Sequence, residues 1–244
     1  MHGALYALQS RVLPPVTATV EIAERVRRKL MGIHARIVGD PALVSPRFSG
    51  KAVDGKPLKG HRHVYILPVD QDRDGWLDHL LVVCKEPLEH EEQLALDRLD
   101  EIWQSKGKPD IQVVPILWGT RTALFQETFV LSREAIVTEV ISATPFVPPR
   151  HYRKGRGPFV DWLAEEVRRE AINHGLPSPV QVVSVPRLVN FGRDYRWIEF
   201  RRSRKGETAQ LGYGFKLVFP EPVRAPIALG HSAHFGLGQF RPMS

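Results

Sequence analysis

The order of apolar segments in the first half of the chain is what most constrains its fold. Residues 4–9 alternate weakly between apolar and polar side chains, which predicts a short strand. One predicted helix then carries a stripe at steps of four, four, three and four, formed by Ile22, Val26, Leu30, Ile33 and Ile37. Two further apolar runs, 63–69 and 77–84, meet across a short turn rich in Asp and predict a hairpin.

A second helix and a closing strand complete this half. The helix is predicted over residues 90–105 and is acidic at its start. Its apolar face would hold Leu96, Leu99 and Trp103. Lys106 and Gly107 are its predicted end, and residues 111–117 form the next strand. The resulting order is β-α-β-β-α-β, which is that of a ferredoxin-like unit.

The second half begins the same order again. A strand is predicted over 135–147, and a helix follows between Pro158 and Gly175. Further strands are predicted over 180–189, 197–202 and 213–219. A second helix is not evident, so this half departs from an ideal repeat. We therefore predict an α+β fold of two tandem ferredoxin-like (RRM-like) βαββαβ domains, residues 1–120 and 121–244, with a C-terminal glycine-rich loop.

The positive charge is concentrated in the second half. Residues 1–119 hold 16 Lys and Arg and 16 Asp and Glu. The remaining residues hold 18 Lys and Arg against 11 Asp and Glu, which accounts for the whole net charge of +7. A basic half suggests a polyanion partner, with nucleic acid as the leading candidate. The plainer alternative is a basic protein that binds nothing specific.

Composition also excludes several classes of protein. Cys84 is the single cysteine, so an intrachain disulfide and a cysteine-rich zinc site are excluded. No run of residues approaches the roughly 18 to 20 apolar residues of a membrane span. Gln9 and Arg11 interrupt the apolar N-terminus, so a signal peptide is not predicted and we expect a cytoplasmic protein.

Glycines punctuate the C-terminal segment 228–240. Glycine lets a backbone approach a phosphate closely and present its N–H groups to an anion. The spacing matches neither a Walker loop nor a complete dinucleotide-binding fingerprint. A tight connection between strands explains the same glycines equally well.

Three segments together resemble the repeat-processing endoribonucleases of CRISPR systems, members of the repeat-associated RNA-binding superfamily. The segments are 49–63, 67–80 and 230–240. The likeness covers most of the chain and is greatest to the type I-G (formerly I-U) form, which is usually fused behind a subunit that caps the guide RNA.

This resemblance implies a metal-independent endoribonuclease that binds and cleaves precursor CRISPR RNA. The RNA 2′-hydroxyl would attack the adjacent phosphate and leave a 2′,3′-cyclic phosphate and a 5′-hydroxyl. The implied partners are CRISPR repeat RNA and the other subunits of a type I (Cascade) effector complex, with the product retained there in the family's manner. No membrane, cofactor or metal is implied.

Histidines are the candidates for proton transfer, because their pKa lies near neutral pH. The family usually has a histidine at or after the end of the first helix, and His34 lies there, so it is our first choice as general base. A packed helix residue is the alternative interpretation. His63 is the second choice and could be the general acid, and Lys51 could stabilise the transition state.

Basic and aromatic residues alternate in the second half, a pattern that suits RNA phosphates and unpaired bases. The predicted RNA-binding residues are Arg150, Arg153, Lys154, Arg156, Arg193, Arg196, Arg201, Arg202, Arg204, Gly230, His231, His234, Gly236 and Gly238. An exposed basic hairpin without a ligand is the alternative.

The turn after the third predicted element contains Asp70, Asp72 and Asp74 and is similar to a calcium loop. Leu81 stands where an EF-hand requires Glu, and the flanks are strands, so we predict a plain hairpin turn. Two other functions remain open. One is a non-catalytic RNA-binding subunit of the same superfamily, and the other is a calcium-stabilised adaptor protein.

Overall fold

Two antiparallel five-stranded sheets and a two-stranded hairpin form the framework of the protein. The structure is a computed structural model. It describes residues 1–52, 54–56, 58, 62–104, 109–128, 136–153, 155, 157–190, 192–200, 210–224 and 227–243. Among these residues, every helix is too short or too polar to cross a lipid bilayer.

The first sheet has the strand order β2-β3-β1-β5-β4. The first-half elements are β1 (Gly3–Gln9), α1 (Thr19–Val38), α2 (Pro46–Ser49), β2 (Tyr65–Val69), β3 (His79–Val83), α3 (His90–Asp97), β4 (Glu101–Ile102) and β5 (Ile111–Gly119). Every pairing in the sheet is antiparallel. The predicted α+β class with antiparallel sheets is therefore confirmed.

Alternation along β1 gives the first sheet two apolar faces. Tyr6 and Leu8 point into the core formed with α1, where Val26 and Leu30 are fully buried. Leu5 points to the opposite face, where it packs with residues of the next helix, α4 (Arg121–Thr128), and of the C-terminal segment. The second half of the chain therefore packs directly on the first sheet and covers the face opposite α1.

The helix predicted over 90–105 is shorter in the structure. It ends at Asp97, and Glu101 and Ile102 pair with β5 instead. Trp103, which the pattern placed on the apolar face, is 64% exposed. This pairing adds β4 at the edge of the sheet and gives hydrogen-bond partners to backbone groups of β5. A longer helix would have left these groups of β5 without that partner strand. The predicted end at Lys106 and Gly107 lies outside the described residues.

The second sheet has the order β11-β12-β6-β10-β7. Its elements, with the hairpin, are β6 (Ile136–Ser142), α5 (Phe159–Asn173), β7 (Gln181–Val185), β8 (Arg187–Asn190), β9 (Arg193–Arg196), β10 (Gly214–Arg224), β11 (Ile227–Ala228) and β12 (Gln239–Pro242). The two sheets share one feature of strand order. In the first sheet β1 lies between β3 and β5, and in the second sheet β6 lies between β10 and β12. Among the described residues of this segment, a short 3-10 turn, Ala233–Phe235, stands where the first half has α3, so these residues do not reproduce the ideal βαββαβ repeat.

The hairpin formed by β8 and β9 leaves the second sheet and packs on the first half. Leu188, Tyr195 and Trp197 belong to the core built around α1.

The strand predicted over 180–189 is divided at Pro186, which lacks the N–H that a continuous ladder would need. The strand predicted over 197–202 is wrong for residues 197–199, which form a 3-10 turn, and residues 201–202 lie outside the described residues. The division at residue 120 stays a prediction; α4 and this hairpin both contact the first half.

Candidate functional site

The glycines of the C-terminal segment are required by close packing. Gly230, Gly236 and Gly238 have φ angles of 89°, 80° and 61°. A Cβ at these positions would lie 2.5 Å from the carbonyl oxygen of Val147, 2.6 Å from Cγ2 of Thr19 and 1.9 Å from the carbonyl oxygen of Leu229, respectively. Only glycine fits, and the loop is thereby pressed between α1 and the second sheet.

Internal hydrogen bonds occupy the backbone amides of this loop. The N–H of His231 donates to the carbonyl of Val147 at 2.8 Å, and that of Gly238 donates to the carbonyl of Pro145 at 2.8 Å. Gly230 N–H donates to Oε2 of Glu170 at 3.3 Å. These amides are not directed at an external anion, which for them favours a tight connection between strands over a phosphate nest. RNA contact by this segment stays a prediction that depends on its side chains.

His234 of this loop stacks on a histidine from the first half. Its imidazole centroid lies 4.5 Å from that of His63, with an interplanar angle of 30°. The ring centroid of Tyr65, the first residue of β2 and two residues after His63, lies 4.1 Å from that of His234. Both histidines are half-buried. The loop therefore completes a cluster that neither half could form alone.

The hydrogen bond of His63 determines which ring nitrogen carries its proton. Nε2 of His63 lies 2.9 Å from the carbonyl oxygen of Leu58, which can only accept, so Nε2 donates. In the neutral imidazole, Nδ1 is then the basic nitrogen. A Cβ at Gly50 would lie 3.0 Å from Nδ1, so Gly50 packs closely against this nitrogen. Lys51, the next residue, is exposed.

Arg27 links α1 to the chain segments around the histidines. Its guanidinium donates to the carbonyl of Phe48 at 2.8 Å and to the carbonyl of Ser49. It also lies 5.6 Å from the ring centroid of Phe235, next to His234. A positive charge is thus fixed within the framework of the cluster, although the sequence reasoning did not single it out. The only available signal was its place on the polar side of the α1 stripe.

Tyr65 also contacts His174, which in turn lies near Glu170 of α5. Its hydroxyl lies 3.5 Å from Nδ1 of His174, and Nε2 of His174 lies 3.9 Å from Oε2 of Glu170 on α5. Burial raises the pKa of Tyr65 above its ordinary value, so the phenol stays neutral. Glu170 also accepts the amide of Gly230, and this connects α5 with the glycine-rich loop.

His34 lies apart from this cluster. It is 4% exposed and packs edge-on against Phe48, with ring centroids 5.6 Å apart. It faces a different cleft, whose charged lining residues are Arg47, Arg62, Glu86, Glu89, Glu91 and Glu92. The structure brings His63 together with His234, and it does not bring His34 to them.

The predicted basic residues have different environments. Arg150 makes two hydrogen bonds, of 2.9 and 2.6 Å, to the carboxylate of Glu166, whose side chain is 3% exposed. Arg153 is exposed. Arg193 and Arg196 are exposed on β9 and lie 3.9 and 3.4 Å from Glu199. Outside the described residues lie Lys154, Arg156, Arg201, Arg202 and Arg204.

Aromatic side chains form a groove beside the glycine-rich loop. Phe159 contacts both Tyr152 and Tyr213, with centroid distances of 5.3 and 5.5 Å. His231 and Ser232 line the same groove. Phe159 is the first residue of α5 and is 36% exposed.

The acidic turn anchors the hairpin of the second half. Asn190 donates to Oδ2 of Asp70 at 2.6 Å, and Gly75 N–H donates to the same oxygen at 3.0 Å. Burial is the main cause that raises the pKa of Asp70 to about 7, and the nearby carboxylates act in the same direction. The prediction of a hairpin turn is confirmed. Carboxylate oxygens of Asp70, Asp72 and Asp74 do lie within 4.8 Å of one another.

Comparison with known proteins adds little to this geometry. No protein-family model and no curated protein matches the chain. One solved structure, described as "An RAMP protein binding different RNA substrates", aligns over 100% of both chains with 12% identity and a TM-score of 0.44. A likeness this weak carries no argument about fold or function.

Proposed function

We propose that the protein binds CRISPR repeat RNA and cleaves it without a metal ion. The RNA 2′-hydroxyl attacks the adjacent phosphorus, and the bond from phosphorus to the 5′-oxygen breaks. The products carry a 2′,3′-cyclic phosphate and a 5′-hydroxyl. The chain acts as a ferredoxin-like endoribonuclease of a type I effector complex, similar to the type I-G form, and retains its product there.

The contact between His63 and His234 is the observation that carries this proposal. Cleavage requires one group to accept a proton from the 2′-hydroxyl and another to donate one to the leaving oxygen. Two neighbouring imidazoles can divide these roles, because an imidazole can accept a proton on one ring nitrogen and donate one from the other. Nδ1 of His63 is the basic nitrogen of the neutral ring, so we assign His63 as base and His234 as acid.

Positive charge beside the pair would stabilise the phosphorane. Lys51 is exposed and adjacent to Gly50, which lies against the ring of His63. The flexible side chain of a lysine at this place can bring its ammonium group to a phosphate oxygen. His34 remains the candidate base that the family resemblance suggests, but four glutamates against two arginines line its cleft, and this excess of negative charge would repel a phosphodiester.

The aromatic groove supports recognition of an unpaired segment of the RNA. Bases stack on aromatic faces with little sequence preference. Tyr152, Phe159 and Tyr213 offer such faces next to His231. Exposed arginines of the second half, among them Arg153 and Arg193, would contact phosphates.

Cleavage of the cognate repeat RNA in EDTA tests the proposal, with the same RNA carrying one 2′-deoxy nucleotide at the cut site as the control. We expect the unmodified RNA to be cut and the modified RNA to stay intact but bound. Cleavage of the 2′-deoxy RNA at the same bond, or cleavage that EDTA abolishes, would contradict the mechanism.

A non-catalytic RNA-binding subunit is the second candidate function. The half-buried state of both histidines favours it, because packed imidazoles have less access to a substrate. Tight binding of both RNAs without any cleavage would favour this candidate over the endoribonuclease.

A further inference from the structure

A cleft of about 170 Å³ lies on the other side of Tyr65, between the two halves of the chain. Its floor is the outer face of β2 and β3, with Leu67 and Val83. Residues of α4, of the end of α5 and of β11 form its walls. Among the described residues that line it, none carries a carboxylate.

Three cationic side chains line this cleft: Lys85, Arg121 and Arg224. None of them makes an ion pair with any residue that the structure describes. Arg121 lies 5.4 Å from the ring centroid of Phe125, another lining residue. Nη1 of Arg224 is buried and has no hydrogen-bond partner within the described part of the chain.

Such an arrangement is unfavourable by itself. A buried N–H of a guanidinium loses its hydration, and this costs free energy unless an acceptor replaces the water. Like charges that share one cleft also repel one another. A bound anion removes both penalties, since its oxygens accept the hydrogen bonds and its charge offsets the three cations.

We infer that this cleft is a binding site for a phosphate group. Arg224 binds it from the buried end, because the planar guanidinium suits two oxygens of a phosphate. Lys85 and Arg121 are exposed and close the site from the solvent side. The phosphate belongs to the backbone of a bound nucleic acid or to a small molecule, inorganic phosphate or a nucleotide. This inference does not rest on the proposed cleavage reaction.

Isothermal titration of the full chain with inorganic phosphate tests the site, at an ionic strength held constant with chloride. We expect one phosphate per chain. Arg224→Gln should weaken binding by roughly tenfold or more, as loss of a charged hydrogen bond does. Arg36→Gln removes an exposed cation of α1 and serves as the matched control, with unchanged binding. An absence of binding by the unmodified chain, or equal weakening in both variants, overturns the inference.

The stability of the variant gives an independent reading. Without phosphate, Arg224→Gln should unfold at a temperature no lower than the unmodified chain, because it removes an unsatisfied charge. A melting temperature several degrees lower would mean that the guanidinium is already satisfied in the free protein, which also overturns the inference.

Competition identifies the source of the phosphate. If 2′-deoxy repeat RNA displaces inorganic phosphate, the site holds a phosphate of the RNA backbone. If both bind together and adenosine 5′-monophosphate displaces inorganic phosphate, the site holds a small phosphorylated ligand. Either outcome supports the site. Failure of the site would leave the cleavage assay in EDTA unaffected, so the two proposals can be tested separately.

Discussion

The imidazole rings of His63 and His234 stack with their centroids 4.5 Å apart, although the two residues come from opposite halves of the chain. His63 precedes β2, and His234 lies in the 3-10 turn of the glycine-rich loop. The contact exists because Gly236 allows that loop to press against α1 and β2. Packing of the loop and chemistry of the site are therefore coupled.

Removal of either stacked histidine should abolish most of the RNA cleavage. His63→Ala and His234→Ala each delete one proton-transfer group, and such groups contribute about 100- to 10,000-fold to the rate. Single-turnover cleavage of the repeat RNA measures this, and a binding assay should show affinity within a few-fold of the unmodified chain.

His34→Ala and His90→Ala are the comparisons for that prediction. His90 is exposed on α3 and should have no effect. His34 is buried against Phe48, so its removal should lower stability more than it lowers the rate per folded molecule. If His34→Ala abolishes cleavage while the chain stays folded and His63→Ala does not, the family-based choice of His34 as base is right and the assignment of His63 as base is wrong.

The secondary structure of the first half could be predicted because each segment carries a local signal. The stripe from Ile22 to Ile37 is buried on one face of α1, apart from partial exposure of its last residue. The error after Asp97 arose because the apolar spacing continues at Leu99, while pairing with β5 decides the structure of residues 101–102. Tertiary contacts overrode the local pattern there.

Only part of the site could be predicted. The sequence singled out His63 as a histidine suited to proton transfer, and it singled out His234 as a residue of the glycine-rich loop. Their contact depends on the path of a loop that packs against Thr19, and no local pattern reports that path. The pairing of Arg150 with Glu166 was also missed, because the two residues come from a loop and a helix face that only the folded chain brings together.

Gly236→Ala should disrupt the site through the backbone. The residue has a φ of 80°, and a Cβ would lie 2.6 Å from Cγ2 of Thr19. We expect a loss of more than about 2 kcal/mol in the free energy of unfolding, beyond the roughly 1–2 kcal/mol of left-handed backbone alone. Chemical denaturation measures it, and cleavage should fall because His234 moves.

Gly192→Ala separates these two causes. Gly192 has a φ of 83°, but a Cβ there would have open space around it. This variant should show only the backbone cost and normal cleavage. Equal losses of stability in the two variants would argue against the close packing of the loop.

Arg150→Ala should lower stability more than RNA affinity. The substitution removes both hydrogen bonds that Arg150 donates to the carboxylate of Glu166, whose side chain is only 3% exposed. We expect a loss of about 1–3 kcal/mol in the free energy of unfolding, with the lower end favoured because Arg150 is half-exposed. Urea denaturation gives this value.

Arg153→Ala is the matched control from the same loop. Arg153 is exposed, so its removal should change stability by less than about 0.5 kcal/mol. RNA affinity should fall instead, with a shallower dependence on salt. If Arg150→Ala weakens RNA binding as much as Arg153→Ala and leaves stability unchanged, Arg150 is a phosphate ligand after all.

Asp70 should make the stability of the protein depend on pH near neutrality. Burial raises its pKa to about 7, whereas an unfolded Asp titrates near 4. The folded state holds the proton more tightly, so the stability that this carboxyl contributes is fully present below about pH 4. It is lost progressively as the pH rises through 7.

Asp70→Asn should remove this dependence. Gly75 and Asn190 both donate to Oδ2, and an amide oxygen in the same place can accept both bonds. The free energy of unfolding of the variant, relative to the unmodified chain, should rise by about 2.5 kcal/mol between pH 5 and pH 8, at roughly 1.4 kcal/mol for each pKa unit. Urea denaturation at the two pH values measures this difference. Glu221→Gln, at an exposed carboxylate, should show no such change. A difference for Asp70→Asn that stays constant between the two pH values would mean that the carboxyl is ionised throughout.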